Sequence, residues 1–205
     1  IASIEGNYLD DADKNFSGLV SPKDFFTNKV ALTSSWKGYS LKEDKAHSIK
    51  YFLNKSIHKI PYGYISKKDI PKNLESVELN KLFIPAARGG SQSGPDQVLG
   101  APFLGFPNSA CSQTYLVIGY DPLKHNFTQQ QCENIASYVS TRFFRYLVSL
   151  KKRTQNGPRT VYQFVPLQDF GQAWTDKKLY KKYGLTNEEI AVIESSIRPM
   201  EFDNE

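Results

Sequence analysis

Two predicted loops carry the planar side chains that can read the edges of DNA bases. Arginine matches guanine, and asparagine or glutamine matches adenine, because each pair shares two hydrogen bonds in one plane. The first loop contains Arg88 and Gln92, and the second contains Arg153, Gln155 and Arg159. These five residues are the candidates for base contacts. The alternative is that they only make the loops polar.

A second set of residues suits the phosphate backbone. Residues 134–168 contain six bases and no acid. Lysine and arginine bind phosphates and position a protein on DNA without reading its sequence. We therefore predict phosphate contacts from four residues of a helix and its end: Arg142, Arg145, Lys151 and Lys152. Eight lysines lie between residues 37 and 68, and for these a merely solvated surface is the alternative.

Three aromatic residues in the first half of the chain are candidates for stacking on bases. Trp36, Tyr39 and Tyr64 each lie within two residues of a glycine. A flat ring stacks on any base, so such contacts add affinity with little sequence preference. Aromatic residues of this kind more often pack against a sheet, and that alternative stays open.

The sequence motifs of common catalytic sites are absent or incomplete in this chain. Gly89 and Gly94 have the spacing of a phosphate-binding loop, but Pro95 stands where that loop needs its lysine. A Gly-x-Ser-x-Gly motif is absent, and the two cysteines and three histidines lack metal-ligand spacing. A Mg²⁺-dependent nuclease would rest on Asp96 and Lys178 alone. We predict no catalytic residue, no metal and no cofactor in this chain.

The elements that must position these residues indicate an α+β fold. Capping boxes begin helices at Thr128 and Thr186, Thr175 begins another, and we expect the first helix to continue to about Lys152. Aromatic and β-branched runs between Pro, Gly and Asn predict strands over residues 49–53, 62–65, 81–84, 103–106, 114–118 and 160–166. The predicted class is mixed α/β, with short mixed β-strands packed on one long helix and closed by two short C-terminal helices.

Length and composition are typical of one globular domain. The chain has 205 residues, 40% hydrophobic and 23% charged, and its 13% of aromatic residues excludes a disordered tail. No apolar run approaches the roughly 18 residues of a membrane span. We expect residues 1–20 to be a linker from an upstream catalytic core and residues 21–205 to be the domain, with a helical block at 174–200. The chain begins with Ile1 and its one methionine is Met200, so we expect a piece of a longer protein.

An ordered series of segments resembles a known family. The segments are residues 140–148, 154–155, 162–170, 174–186, 189–190, 193–194 and 197–200, with looser likeness at 19–22, 64–66 and 108–115. They are similar to the C-terminal region of bacterial restriction–modification proteins with an adenine-N6 DNA methyltransferase core, including fused restriction–methylation enzymes.

The resemblance implies that this chain is the target-recognition part of such a protein. Double-stranded DNA would be its ligand, and the methyltransferase core of the same parent chain would be its protein partner. S-adenosylmethionine is the cofactor implied for the parent, joined by Mg²⁺ where the parent also cuts DNA. The implied location is the bacterial cytoplasm, with no membrane partner.

Three functions are consistent with these observations. The first is sequence-specific recognition of double-stranded DNA, which places the target site before the methyltransferase core. The second is a protein docking module of the same complex with little DNA contact, favoured by the aromatic and acidic C-terminal block. The third is the nuclease.

Overall fold

The computed structural model describes residues 13–90 and 94–200. The strands are β1 Ile49–Phe52, β2 Tyr62–Ile65, β3 Lys81–Pro85, β4 Phe103–Gly105, β5 Ser109–Cys111 and β6 Tyr115–Ile118. The α-helices are α1 Lys55–His58, α2 Gln129–Val139, α3 Arg142–Ser149, α4 Asp176–Lys182 and α5 Asn187–Ser196. Short 3-10 helices form at Phe16–Leu19, Lys67–Asp69, Leu74–Glu78 and Arg159–Tyr162. These elements confirm the α+β class, and none of the described helices is long and apolar enough to cross a membrane.

Two three-stranded sheets form the first half of the domain. The first has the order β2-β1-β5, in which β1 pairs antiparallel with β2 and parallel with β5. The second has the order β4-β3-β6 and is antiparallel throughout. Along β3, Leu82 and Ile84 belong to one core and Phe83 to another, because successive side chains point to opposite faces. The second sheet therefore lies between two cores.

The larger core joins this sheet to the helices and includes the start of the described chain. Phe16 is fully buried, and its ring meets that of Phe144 edge-on at 4.7 Å. Its backbone N–H donates to the carbonyl of Val165 at 2.8 Å. The end of the segment predicted as a linker thus packs inside the domain. Residues 1–12 of that segment lie outside the described residues.

The predicted single helix is two helices, α2 and α3. Thr141 between them is extended, and its hydroxyl accepts a hydrogen bond from the backbone N–H of Phe144 at 3.1 Å. The Asp176 carboxylate accepts the N–H groups of Arg142 and Phe143 at 3.1 and 2.9 Å. Two caps satisfy the N–H groups that a helix start exposes. The prediction of one long helix is wrong for this reason.

The predicted strand over residues 160–166 is also wrong. Val161, Tyr162 and Val165 are buried together in the larger core. Their spacing of three and four residues suits a helical turn, and Arg159–Tyr162 forms a 3-10 helix. Pro166 pairs only through an isolated bridge to Asn15. In the other direction, β5 is a strand that the sequence did not indicate, because its three small residues lack a strand pattern.

The two C-terminal helices begin as predicted. Thr175 caps α4 by accepting from the backbone N–H of Lys178, and the Thr186 and Glu189 capping box opens α5. Both helices contact α3. The Phe143 ring of α3 stacks on Tyr183 at a centroid distance of 5.0 Å. The acidic C-terminal block is therefore part of the same domain.

Candidate nucleic-acid interface

The two predicted base-reading loops lie side by side. The backbone N–H of Arg88 donates to the carbonyl of Gln155 at 2.8 Å. Ala87 and Asn156 form an antiparallel bridge between this bond and a second one donated by Gly157. Paired backbones lie about 5 Å apart. Segments that are distant in the sequence therefore present their side chains along one edge.

A lysine from the end of α3 completes a basic strip along this edge. Lys152 Nζ donates to the carbonyl of Arg88 at 3.2 Å. Partial burial lowers the pKa of Lys152, an effect that the Asp96 carboxylate opposes and Arg88 reinforces. We define the paired-loop strip as this lysine and four exposed neighbours: Arg88, Arg153, Gln155 and Asn156. The strip combines three cations with two amides, the groups that bind phosphates and base edges.

Two of the five base-reading candidates stand apart from the strip. Gln92 lies outside the described residues. Arg159 is partly buried at the start of its 3-10 helix. The structure thus brings together Arg88, Arg153 and Gln155, with Asn156 of the same predicted loop beside them.

Arg145 is buried, so the predicted phosphate contact through it is corrected. Its side chain is 0% exposed. Nε donates to the carbonyl of Thr141 at 3.2 Å, Nη1 to that of Gln97 at 3.2 Å, and Nη2 to that of Ser140 at 3.1 Å. Burial lowers the pKa of Arg145 to about 10, and Asp176 opposes this effect. Arg145 therefore faces carbonyls inside the domain and not the solvent.

The buried arginine anchors the end of the first loop from inside. The Nη1 bond from Arg145 holds the carbonyl of Gln97, and the next residue, Val98, has a φ of 64°. β-Branched residues avoid that region, so the backbone here is strained. The Asp96 carboxylate accepts the N–H of Val98 at 3.0 Å, and the Asp96 N–H donates to Ser196 at 2.9 Å. Residues 96–98 are thus held between α3 and the end of α5.

The other two predicted phosphate residues of this helix make contacts within the protein. Arg142 Nη1 lies 3.5 Å from a carboxylate oxygen of Glu194. Lys151 Nζ donates to Gln163 Oε1 and lies 5.3 Å from the centre of the Phe164 ring. Of the four predicted phosphate residues, Lys152 alone belongs to the paired-loop strip.

The predicted stacking residues pack on the first sheet. The Trp36 ring meets Tyr51 edge-on at 5.6 Å, and Trp36 and Tyr39 pack against the smaller core. His58 Nε2 donates to a carbonyl at 2.8 Å, so its Nδ1 accepts from the Tyr39 hydroxyl at 3.1 Å. Tyr64 is partly buried in β2. These contacts favour the alternative of sheet packing for Trp36 and Tyr39.

The nuclease hypothesis gains no site. Within residues 13–90 and 94–200, no group of three or more His, Cys, Asp or Glu side chains could hold a metal ion. Lys178 Nζ donates to the carbonyl of Ala173 at 2.7 Å and to Gln172 at 3.2 Å. The Asp96 carboxylate supports the strained loop.

Cys111 and Cys132 are free and buried, and burial raises the pKa of both thiols.

A groove of about 470 Å³ lies between α4 and α5. Leu185 and Ile190 line it, together with Tyr180. The Tyr180 hydroxyl is buried without a hydrogen-bond partner among the described residues, and burial raises its pKa. Two carboxylates and two lysines also line the groove: Asp176, Glu194, Lys177 and Lys181. A groove of mixed charge suits a protein segment better than a polyanion.

A polar cleft beside the paired-loop strip contains two lysines that the sequence did not single out. Lys23 and Lys55 line this cleft, whose volume is about 460 Å³. Lys55 belongs to the lysine-rich stretch, but its spacing does not separate it from its neighbours. Lys23 lies outside that stretch, and no pattern marks it.

Comparisons of this chain with protein-family models, with curated proteins and with solved structures found no match.

Proposed function

We propose that this chain binds double-stranded DNA and recognises its sequence, as the target-recognition module of an adenine-N6 DNA methyltransferase in a restriction–modification system. The observation that carries the proposal is the pairing of the two loops, which aligns three base-reading candidates with a phosphate-binding lysine. The resemblance of residues 140–200 to restriction–modification proteins supports the same function. The methyltransferase core, its S-adenosylmethionine and the bacterial cytoplasm belong to this proposal.

The form of the strip suits the major groove of DNA. That groove is about 12 Å wide and admits a two-stranded β-ribbon. The paired loops form one antiparallel bridge with two backbone hydrogen bonds, a short piece of such a ribbon. Their arginine and amide side chains are exposed. In the proposed complex Arg88 and Arg153 bind guanine edges, Gln155 binds adenine, and Lys152 binds a flanking phosphate. The buried Arg145 positions the neighbouring loop without contacting DNA.

The test is selection of binding sites from a random duplex library by the whole chain. We expect an enriched sequence, and we expect Arg88→Gln and Arg153→Gln each to relax one base position by about 1–3 kcal/mol. A matched control is Lys177→Gln, which removes an exposed cation from α4 outside the strip. Its selected sequence should equal that of the wild type. Failure of the wild type to bind duplex DNA, or to enrich any sequence, would overturn the proposal.

The groove between α4 and α5 favours one second candidate, docking of the parent's methyltransferase core. Its apolar residues Leu185 and Ile190 are the groups that a protein segment would cover. Leu185→Asp would then abolish binding to the separately produced core. Affinity should change little between low and physiological salt, whereas affinity based on phosphate contacts falls steeply. Core binding with no DNA binding would make docking the function.

A further inference from the structure

The polar cleft lies directly beside the paired-loop strip. Asn156 of the strip and its bridge partner Ala87 also line the cleft. Asn54 and Lys55, at the start of α1, line it as well, and so does Lys23. A DNA strand that crosses the strip would therefore meet the cleft next.

The charge of the cleft is positive. Its lining contains two lysines and no acid among the described residues. Lys23 and Lys55 are exposed, and neither forms an ion pair with a residue that the structure describes. Both ammonium groups are thus free to bind an anion without first breaking an internal contact.

The floor of the cleft is held by contacts between separate segments. Thr114 Oγ1 donates to Ser34 Oγ at 3.3 Å, and the carbonyl of Thr114 accepts the N–H of Ala86 at 2.8 Å. The N–H of Gln113 donates to Leu32 at 3.1 Å. These bonds fix the backbone of residues that line the cleft, which also include Asn156. Neutral donors beside ammonium groups are a suitable set for phosphate oxygens.

We infer that this cleft binds a phosphodiester unit of the DNA strand that flanks the recognised bases. Lys23 and Lys55 pair with the phosphate oxygens, and the amides contact the attached sugar or base. The volume of about 460 Å³ falls in the range of roughly 300–1,000 Å³ for small-molecule sites, so it admits a nucleotide unit rather than a phosphate alone. The inference rests on the proposed function. A free nucleotide carries the same phosphate chemistry, so the test below distinguishes it from DNA.

The first arm of the test measures duplex binding of the whole chain by fluorescence anisotropy between about 50 and 200 mM salt. Each phosphate contact contributes about 0.9 to the slope of log affinity against log salt. We expect the double variant Lys23→Gln, Lys55→Gln to reduce the slope by about 2 and to weaken all duplex sequences alike. The matched control Lys177→Gln, Lys181→Gln removes two exposed cations of α4 and should leave the slope unchanged.

The second arm titrates thymidine monophosphate and inorganic phosphate into the protein and follows the side-chain amides of Gln113 and Asn156 by NMR. Duplex binding with an unchanged slope in the cleft variant would overturn the inference and leave the proposed function standing. A different result would identify a free-nucleotide site and overturn the proposed function. In that case the wild type does not bind duplex DNA, thymidine monophosphate shifts the amide signals, and these shifts are lost in the double variant Lys23→Gln, Lys55→Gln. If the protein neither binds duplex DNA nor shows amide shifts, both the inference and the proposed function are overturned.

Discussion

The buried lysine of β3 makes the stability of this protein depend on pH. Lys81 is 0% exposed, and its Nζ donates to the carbonyls of Val77 and Leu79, both at 2.9 Å. Burial lowers its pKa from 10.5 to about 7, with Cys111 and Glu78 opposing the effect. Since one pKa unit corresponds to about 1.4 kcal/mol, keeping this ammonium charged costs the folded state about 5 kcal/mol relative to the neutral amine.

The sign of the pH dependence follows from the lowered pKa. Below about pH 7 both the folded and the unfolded chain hold the proton on Lys81, and the full cost of the buried charge is present. Between about pH 7 and 10.5 the unfolded chain binds more protons than the folded one, so stability rises with pH. We expect the wild type to gain about 2–3 kcal/mol relative to Lys81→Met between about pH 6 and pH 9.

The assay is urea unfolding of the wild type and Lys81→Met across this pH range, followed by the fluorescence of Trp36 and Trp174. The variant also changes shape and loses two hydrogen bonds, but those effects shift its stability by an amount that does not vary with pH. The control Lys29→Met removes an exposed lysine and should follow the wild-type pH dependence. If the curves for the wild type and Lys81→Met run parallel, the reasoning from burial is refuted.

Two further predictions concern the corrected parts of the sequence analysis. Arg145→Met should destabilise the fold by about 2–4 kcal/mol, because a fully buried side chain loses three hydrogen bonds to carbonyls. The exposed Arg153→Met should change stability by less than about 0.5 kcal/mol. Chemical unfolding of the two variants compares them directly, and equal stabilities would contradict the buried position of Arg145. Phe16→Ala should cost about 3–5 kcal/mol because the ring is fully buried. A melting temperature equal to the wild type would show instead that residues 13–20 behave as a linker.

Local signals predicted where most elements begin. The capping box at Thr128 and that at Thr186 each open a helix in the structure, because cap and N–H donor lie three residues apart. Five predicted strands rich in aromatic and β-branched residues were confirmed, each with ends within one residue of the predicted ends. The second of them, Tyr62–Ile65, has the predicted ends. In each case the residues that decide the element are neighbours in the chain.

The prediction of one long helix failed because a capping partner lies far away in the sequence. α3 begins at Arg142 because the carboxylate of Asp176 accepts its first N–H groups. The contact with Asp176 is not visible in the local spacing of residues, so the apolar period alone predicted a longer helix. In the run at residues 160–166, the larger core buries Val161, Tyr162 and Val165, and their helical spacing was outweighed by the β-branched and aromatic residue types.

For the candidate site, too, the sequence determines some properties and the tertiary structure determines others. The sequence by itself determined the types of side chain available: arginines and amides on two loops, an acid-free basic stretch and no catalytic motif. Only the tertiary structure decided which of them share a surface. Backbone pairing joins Arg88 to Gln155, and burial removes Arg145 from the surface. The neighbouring cleft is lined by Lys23 and Lys55, which are distant from the two loops in the sequence. Composition is a property of the chain, but the position of a charge depends on contacts that form only when distant segments pack together.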